Sequence, residues 1–454
     1  MSADPDSASA TDRKALQVNL DPTSYGTFAE IGAGQEVANW FLRVGAASGT
    51  VAQTICAYDK GFSDERYGRG TRYVSRERLL AMLDREFQPL EEQLRAARGP
   101  QVRFFAFANT VAARNFKGDN EQHGWVGIRF QRESGSGPND ILLHVELRDR
   151  EVGHQREALG VLGVNLVHAA FHERLDPEPF LRATFEDLSS DRLEIDVIEL
   201  KGPAFADTDS RLWSLEGLRQ GICRGLVFDQ SGQPNQPSTV LRKRALVVGR
   251  EGSGAATTNP LGVISAAFEQ MKREGGQLER DPITVLDLRL RELSTSSTGV
   301  RSAALDHLGR ASARSTVVLT DQALLYPVVE YLRRYSSGPF RLVDSVSAFA
   351  RLLSESYATL PGTLLEGLAK LLLEDVKLYL YPVPLPVFLG EQEQLPLERV
   401  TASSQTGMVT VDDLRCEPPL DHLLRYLRGA EWIVPLELPG RDDPSVAPRR
   451  LQGD

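Results

Sequence analysis

Two spacings of apolar residues divide the first half of the chain. In SRERLLAMLDREFQPLEEQLRAA (75–97) they recur at helical intervals, with Ser75 placed to cap the first turn and Leu79, Leu80 and Leu83 forming a stripe. The pattern over residues 28–97 predicts mainly helix, kinked or restarted at Pro89. Beyond it the apolar residues close into short runs, VRFFAFANTVAAR (102–114), GWVGIRFQ (124–131) and DILLHVELRD (140–149), separated by Gly, Asn and Pro turns. These predict neighbouring strands. REALGVLGVNLVHAAFHERL (156–175) is apolar around nearly its whole circumference, so it is expected to pack against that sheet rather than face water. RLEIDVIEL (192–200) adds a strand and RLWSLEGLRQGI (211–222) a short helix.

The second half alternates. RALVVG (244–249), ITVLDLRL (283–290), STVVLTD (315–321), FRLVDSV (340–346) and VKLYLYPV (376–383) read as strands, and PLGVISAAFEQMKRE (260–274) and QALLYPVVEYLRRY (322–335) as helices between them. Such alternation predicts a largely parallel, helix-covered sheet. The Gln-, Pro- and Ser-rich DQSGQPNQPSTV (229–240) is the best linker or long loop. The predicted fold is therefore α/β and two-lobed: a helical segment with a mixed sheet over 17–230 and a mainly parallel α/β lobe over 241–438, with disordered ends at 1–16 and 439–454.

Composition narrows the function classes. A net charge of −10 opposes a nucleic-acid or anionic-lipid surface, because binding phosphate needs a concentrated positive field. Cys56, Cys223 and Cys416 are too scattered for a metal knuckle or a disulfide framework, which suits a reducing cytoplasm. The leader MSADPDSASATDRK has no apolar core, and no long uninterrupted apolar run occurs, so neither a signal peptide nor a membrane span is expected.

Four segments invite chemistry. FAEIGAGQEVANWF (28–41) places Gly32 and Gly34 before a helix, as in a dinucleotide turn, but Val37 stands where a third small residue belongs. The other reading is close packing, with Val37, Trp40 and Phe41 turned inward. VVGREGSGAATTNPLG (247–262) joins strand to helix but lacks the Lys-Ser/Thr ending of a P-loop. Ser296-Ser297-Thr298-x-x-Arg301, whose hydroxyls and Arg can hold a pyrophosphate, resembles the triphosphate-binding half of the nicotinate-nucleotide adenylyltransferase signature, or else is a loop capping a helix. His168 and His172 have the spacing of paired metal ligands, with His144 or Glu173 as a third, but lack an HExxH context and read as a core or helix-end pair. No metal is expected.

The densest polar and aromatic collection is FAFANTVAARNFKGDNEQHGWVGIRFQ (105–131). Asn109 can donate and accept, His123 can transfer a proton near neutrality, and Arg129 can hold an anion. With Glu30, Glu36 and Asp59 they form the candidate catalytic set, expected to face one polar cavity. Otherwise the segment is a hairpin with a solvated KGDNEQ turn.

SYGTFAEIGAGQEVANWF, FFAFANTV, HGWVGIRFQ, LGVLGVNLVHAAF, VLTDQALLYPVVEYLRRYS and LLEGLAKLLLEDVKLYLYP together resemble a family of soluble bacterial proteins of similar length, labelled variously nicotinate-nucleotide adenylyltransferase and TonB-dependent receptor. The resemblance spans most of residues 17–435 and implies one discrete architecture, without assigning a catalytic residue or cofactor. The residues themselves favour an enzyme or sensor taking a small anionic, nucleotide-like ligand in a cleft between the lobes. The alternative is a noncatalytic interaction or scaffolding protein. Neither excludes self-association.

Overall fold

Two sheets organise the chain, one in each of the units Met1–Leu226 and Val227–Asp454. The computed structural model describes residues 9–70, 72–251, 259–275, 278–293, 298–354, 360–394 and 400–438.

The first unit runs α1 (Ala10–Leu20), β1 (Ser24–Gly32), α2 (Val37–Arg43), β2 (Val51–Ile55), α3 (Lys60–Tyr67), α4 (Arg76–Pro89), α5 (Arg95–Arg98), β3 (Arg103–Val111), β4 (His123–Phe130), β5 (Asn139–Leu147), α6 (Val152–His172), α7 (Pro177–Thr184), β6 (Leu193–Lys201) and α8 (Ser210–Arg219). Its sheet has the order β2-β1-β3-β4-β5-β6, parallel from β2 to β3 and antiparallel from β3 to β6. α6, with α1, α2 and α7 against it, covers one face through a core that includes Phe28, Phe105, Phe107, Ile128 and Leu143. α4 covers the other through Leu79, Leu83, Phe104, Ala106 and Trp125.

Residues 28–97 are less helical than their pattern predicts, because β1 and β2 lie at the start of the sheet. β1 sits between β2 and β3 and contributes Phe28 to one core and Tyr25 and Ala29 to the other, but Gly26, Thr27 and Glu30 interrupt the apolar run by which β3, β4 and β5 are recognised. Ser75 does cap α4, its side chain accepting from Arg78 N, and the helix ends at Pro89 in a single π turn, Leu90–Leu94.

The second unit runs β7 (Gly225–Phe228), β8 (Pro234–Asn235), α9 (Pro237–Leu241), β9 (Leu246–Arg250), α10 (Pro260–Glu274), β10 (Ile283–Arg289), α11 (Leu290–Leu293), α12 (Thr298–Ser312), β11 (Thr316–Thr320), α13 (Leu325–Arg333), β12 (Phe340–Ser345), α14 (Val346–Ser354), α15 (Thr363–Leu371) and β13 (Val376–Tyr381). It closes with β14 (Val383–Pro384), α16 (Leu385–Gln394), β15 (Val400–Ala402), β16 (Met408–Val409), β17 (Leu414–Cys416), α17 (Leu420–Gly429) and β18 (Ile433–Pro435). The sheet order is β18-β13-β12-β9-β10-β11-β7-β8, and the strands from β11 to β18 are parallel. β14 with β16 and β15 with β17 form two small antiparallel pairs. The stretch read as a linker or long loop, 229–240, holds the turn of the β7–β8 hairpin, β8 and most of α9, and the turn is held by Asp229 accepting from Ser231 N and Asn235 Nδ2, each at 2.8 Å.

The protein is thus α/β, with a helical segment and mixed sheet in one unit and a mainly parallel sheet in the other. Among the described residues no helix is long and apolar enough to cross a membrane. Cys56, Cys223 and Cys416 are all free thiols.

Candidate functional site

β1 and β3 run parallel in a register that sets Glu30 directly beside Asn109 on the α2–α6 face of the sheet. Asn109 Nδ2 donates to Glu30 Oε1 at 3.2 Å and to Gly34 O at 2.9 Å. Glu30 in turn accepts from Val37 N at 3.1 Å and Ala38 N at 3.0 Å, the first amides of α2. This answers the question posed by the first glycine segment. Strand, turn and helix do follow one another, but the helix start where a pyrophosphate would be held is filled by the chain's own carboxylate. Gly32, at φ +81°, and Gly34 serve close approach: a Cβ at Gly32 would lie 2.2 Å from Val111 O, and one at Gly34 2.1 Å from Asn109 Oδ1. Burial pushes Glu30 up to about 7 despite its three donors, so it titrates near neutrality.

The opposite face carries a second polar centre. Side chains alternate along a strand, so His123, Trp125 and Arg129 of β4 point away from Asn109 and toward the α4 side. There His123 Nδ1 lies 2.9 Å from His144 Nε2, and His144 Nδ1 lies 2.5 Å from Asp196 Oδ1. A β-bulge lies beside this chain. β5 and β6 pair His144 with Val197 and then Val145 with Ile195, leaving Asp196 as the extra residue, turned toward His144. Glu146, the cross-strand partner of His123, sits at the same place, and one ligand atom each from His144, Glu146 and Asp196 lie within 4.8 Å of one another.

The electrostatics of this centre are dominated by burial. Burial pushes Glu146 up to about 8, reinforced by Asp196, and raises Cys223 well above an ordinary thiol, reinforced by Glu194 and Asp196. Burial alone would pull His144 down, but the charge and hydrogen bond of Asp196 more than offset it and leave its pKa raised. His123, with its side chain 17% exposed, is the solvent end of the chain, while His144 and Asp196 are at 0% and 2%.

The expected common cavity does not form, because the sheet itself separates Glu30 and Asn109 from His123 and Arg129. Arg129 donates to both oxygens of Asp140, at 2.7 and 2.8 Å, and also meets Asp84; burial opposes its charge, and these two carboxylates raise its pKa nonetheless. Glu36 accepts from Arg156 at 2.7 Å. Asp59 caps α3, accepting from Gly61 N and Phe62 N. His168 and His172 stack at 4.7 Å, and His168 Nε2 meets Gln17 Oε1 at 3.0 Å. Burial lowers His168 to about 4. Residues 252–258 of the second glycine segment, and Ser296 and Ser297 of the hydroxyl-rich one, lie outside the described residues.

Sequence reading missed Glu146 and Asp196 and gave His144 only a supporting place beside His168. A signal existed: DILLHVEL and LEIDVIEL carry charged or imidazole side chains at alternating positions of strongly apolar strands, which places them on one buried face.

In the second unit the carboxyl ends of the parallel strands gather Arg250, Asp287 and Thr320. Arg250 Nε donates to Asp287 Oδ2 at 2.6 Å, and Thr320 Oγ1 to Oδ1 at 3.2 Å. Counted from β9 as the first strand, the parallel order is 3-2-1-4-5-6, so the chain reverses its direction of advance between β9 and β12. At that point β12 passes straight into α14, where Ser345 Oγ accepts from Ala348 N at 3.0 Å.

The fold and these two centres define an α/β protein with a buried histidine–carboxylate cluster in the mixed sheet of one unit and a mainly parallel sheet in the other. No family model and no curated protein matches the chain. Among solved structures, the competence/damage inducible protein CihA from Agrobacterium tumefaciens is similar at 20% identity over 37% of this chain and 99% of its own, with a TM-score of 0.27. A score that low carries no argument, and the class rests on the chain's own strand order.

Proposed function

We propose that the protein binds a small anionic, nucleotide-like ligand, as an enzyme or sensor, at the carboxyl edge of the second unit's sheet between β9 and β12. The observation that supports this is the strand order, with its reversal between those two strands. Where adjacent strands send their connections to opposite faces, a crevice opens beyond their carboxyl ends, and ligands of open α/β sheets bind there. The start of α14, capped by Ser345 Oγ accepting from Ala348 N, borders that edge.

Hydrogen–deuterium exchange of the full chain, with and without saturating ATP or NAD, tests the proposal. Exchange should slow in the peptides covering 249–251 and 345–349. Slowing confined to the first unit, or no change with either nucleotide, would overturn it.

A further inference from the structure

We propose that the first unit binds one divalent transition-metal ion at the cluster of His144, Glu146 and Asp196, with His123 at its rim. Imidazole and carboxylate donors together suit zinc, manganese and ferrous iron. The donors are already gathered, with one ligand atom from each of the three lying within 4.8 Å of the others. Asp196 Oδ1, at 2.5 Å from His144 Nδ1, fixes that ring and leaves Nε2 directed at His123 Nδ1, 2.9 Å away. With His144 Nδ1 and Asp196 as ligands, His123 stands behind the metal-bound imidazole at Nε2, the place of the outer partner that sets its tautomer and ring plane. Around a four-coordinate ion with bonds of roughly 2.0–2.1 Å, ligand atoms sit roughly 3.4 Å apart, so a small opening of the His144 Nδ1–Asp196 pair admits one.

A metal-free relay from Asp196 through His144 to His123 would account for the two short contacts and nothing more. It leaves Asp196 Oδ2 without a hydrogen-bond partner, on a residue only 2% exposed. A buried carboxylate oxygen without a donor is costly, and a cation satisfies it. This cluster is separate from His168 and His172, which stack on α6 beside Gln17. It also shares no residue with the nucleotide crevice proposed for the second unit, so either proposal can fail alone.

The full chain, stripped with a chelator and dialysed, is titrated with zinc by calorimetry and with cobalt(II) by visible absorption. One ion per chain should bind, with cobalt bands of a four- or five-coordinate nitrogen–oxygen site. Glu146→Gln, which keeps side-chain size, and His144→Gln should each weaken binding about 10-fold or more, while His172→Gln leaves it unchanged. Circular dichroism confirms that the variants are folded, and Glu146→Gln carries the decision if His144→Gln is not. Failure of the stripped chain to take up either ion, equal affinity in Glu146→Gln, or loss of binding with His172→Gln alone would overturn the proposal.

Discussion

Glu30 shows how one side chain can hold a strand, a turn and a helix together. It accepts from the first amides of α2 and from Asn109, and each of these donors favours the ionised carboxylate, yet burial outweighs them and moves its pKa from 4.5 to about 7. A raised carboxyl pKa means that the folded state holds the proton more tightly than the unfolded chain. Its contribution to stability is therefore fully present below about pH 4.5 and is lost as pH rises through about 7. The difference corresponds to ~3 kcal/mol. Denaturant melts of Glu30→Gln between those pH values should show a flatter profile than the natural protein. An unchanged slope would mean that another group sets the pH dependence.

At the scale of elements, the first unit depends on close approach between α2 and α6. LGVLGVNL puts Gly160 and Gly163 on the α6 face that meets α2: a Cβ at Gly160 would lie 2.7 Å from Trp40 Nε1, and one at Gly163 2.3 Å from Val37 Cγ2. Helix propensity favours alanine at both positions by about 1 kcal/mol, so propensity and packing disagree. Packing should win at Gly163, where the neighbours are a β-branched side chain and the Phe107 ring at 2.9 Å. Gly163→Ala is expected to destabilise the protein by about 1–3 kcal/mol in thermal or urea unfolding. A gain in stability would show that α2 shifts freely. The bulge in β6 works at the same scale. Asp196 follows Glu194 onto the His144 side by ordinary alternation, and the extra residue lets Val197, opposite His144, face that side as well.

At the scale of the whole molecule, a net charge of −10 predicts that the chain is not retained on DNA or heparin at physiological ionic strength, which a gel-shift or column assay checks. Retention would reveal a basic face that the net charge conceals. β9 to β13 of the second unit were legible because their apolar runs stand between helical patterns, whereas the short β7, β8 and β14 to β18 carry no run long enough to read. β3, β4 and β5 were legible as short apolar runs and α6 as a long one, within a few residues at each end. β1 was not, because Gly26, Thr27 and Glu30 interrupt its apolar run. The polar residues were legible as types but not as groups. Asn109, His123 and Arg129 lie close in sequence, yet the parity of their strand positions sends Asn109 to one side of the sheet and the other two to the opposite side. His144 and Asp196, 52 positions apart, meet through strand pairing that no local pattern encodes. Local periodicity, set by each residue and its near neighbours, determined which segments became helices and strands. Which side chains share a face, and hence every candidate site, depended on register and strand order, and these are fixed only when distant segments pair.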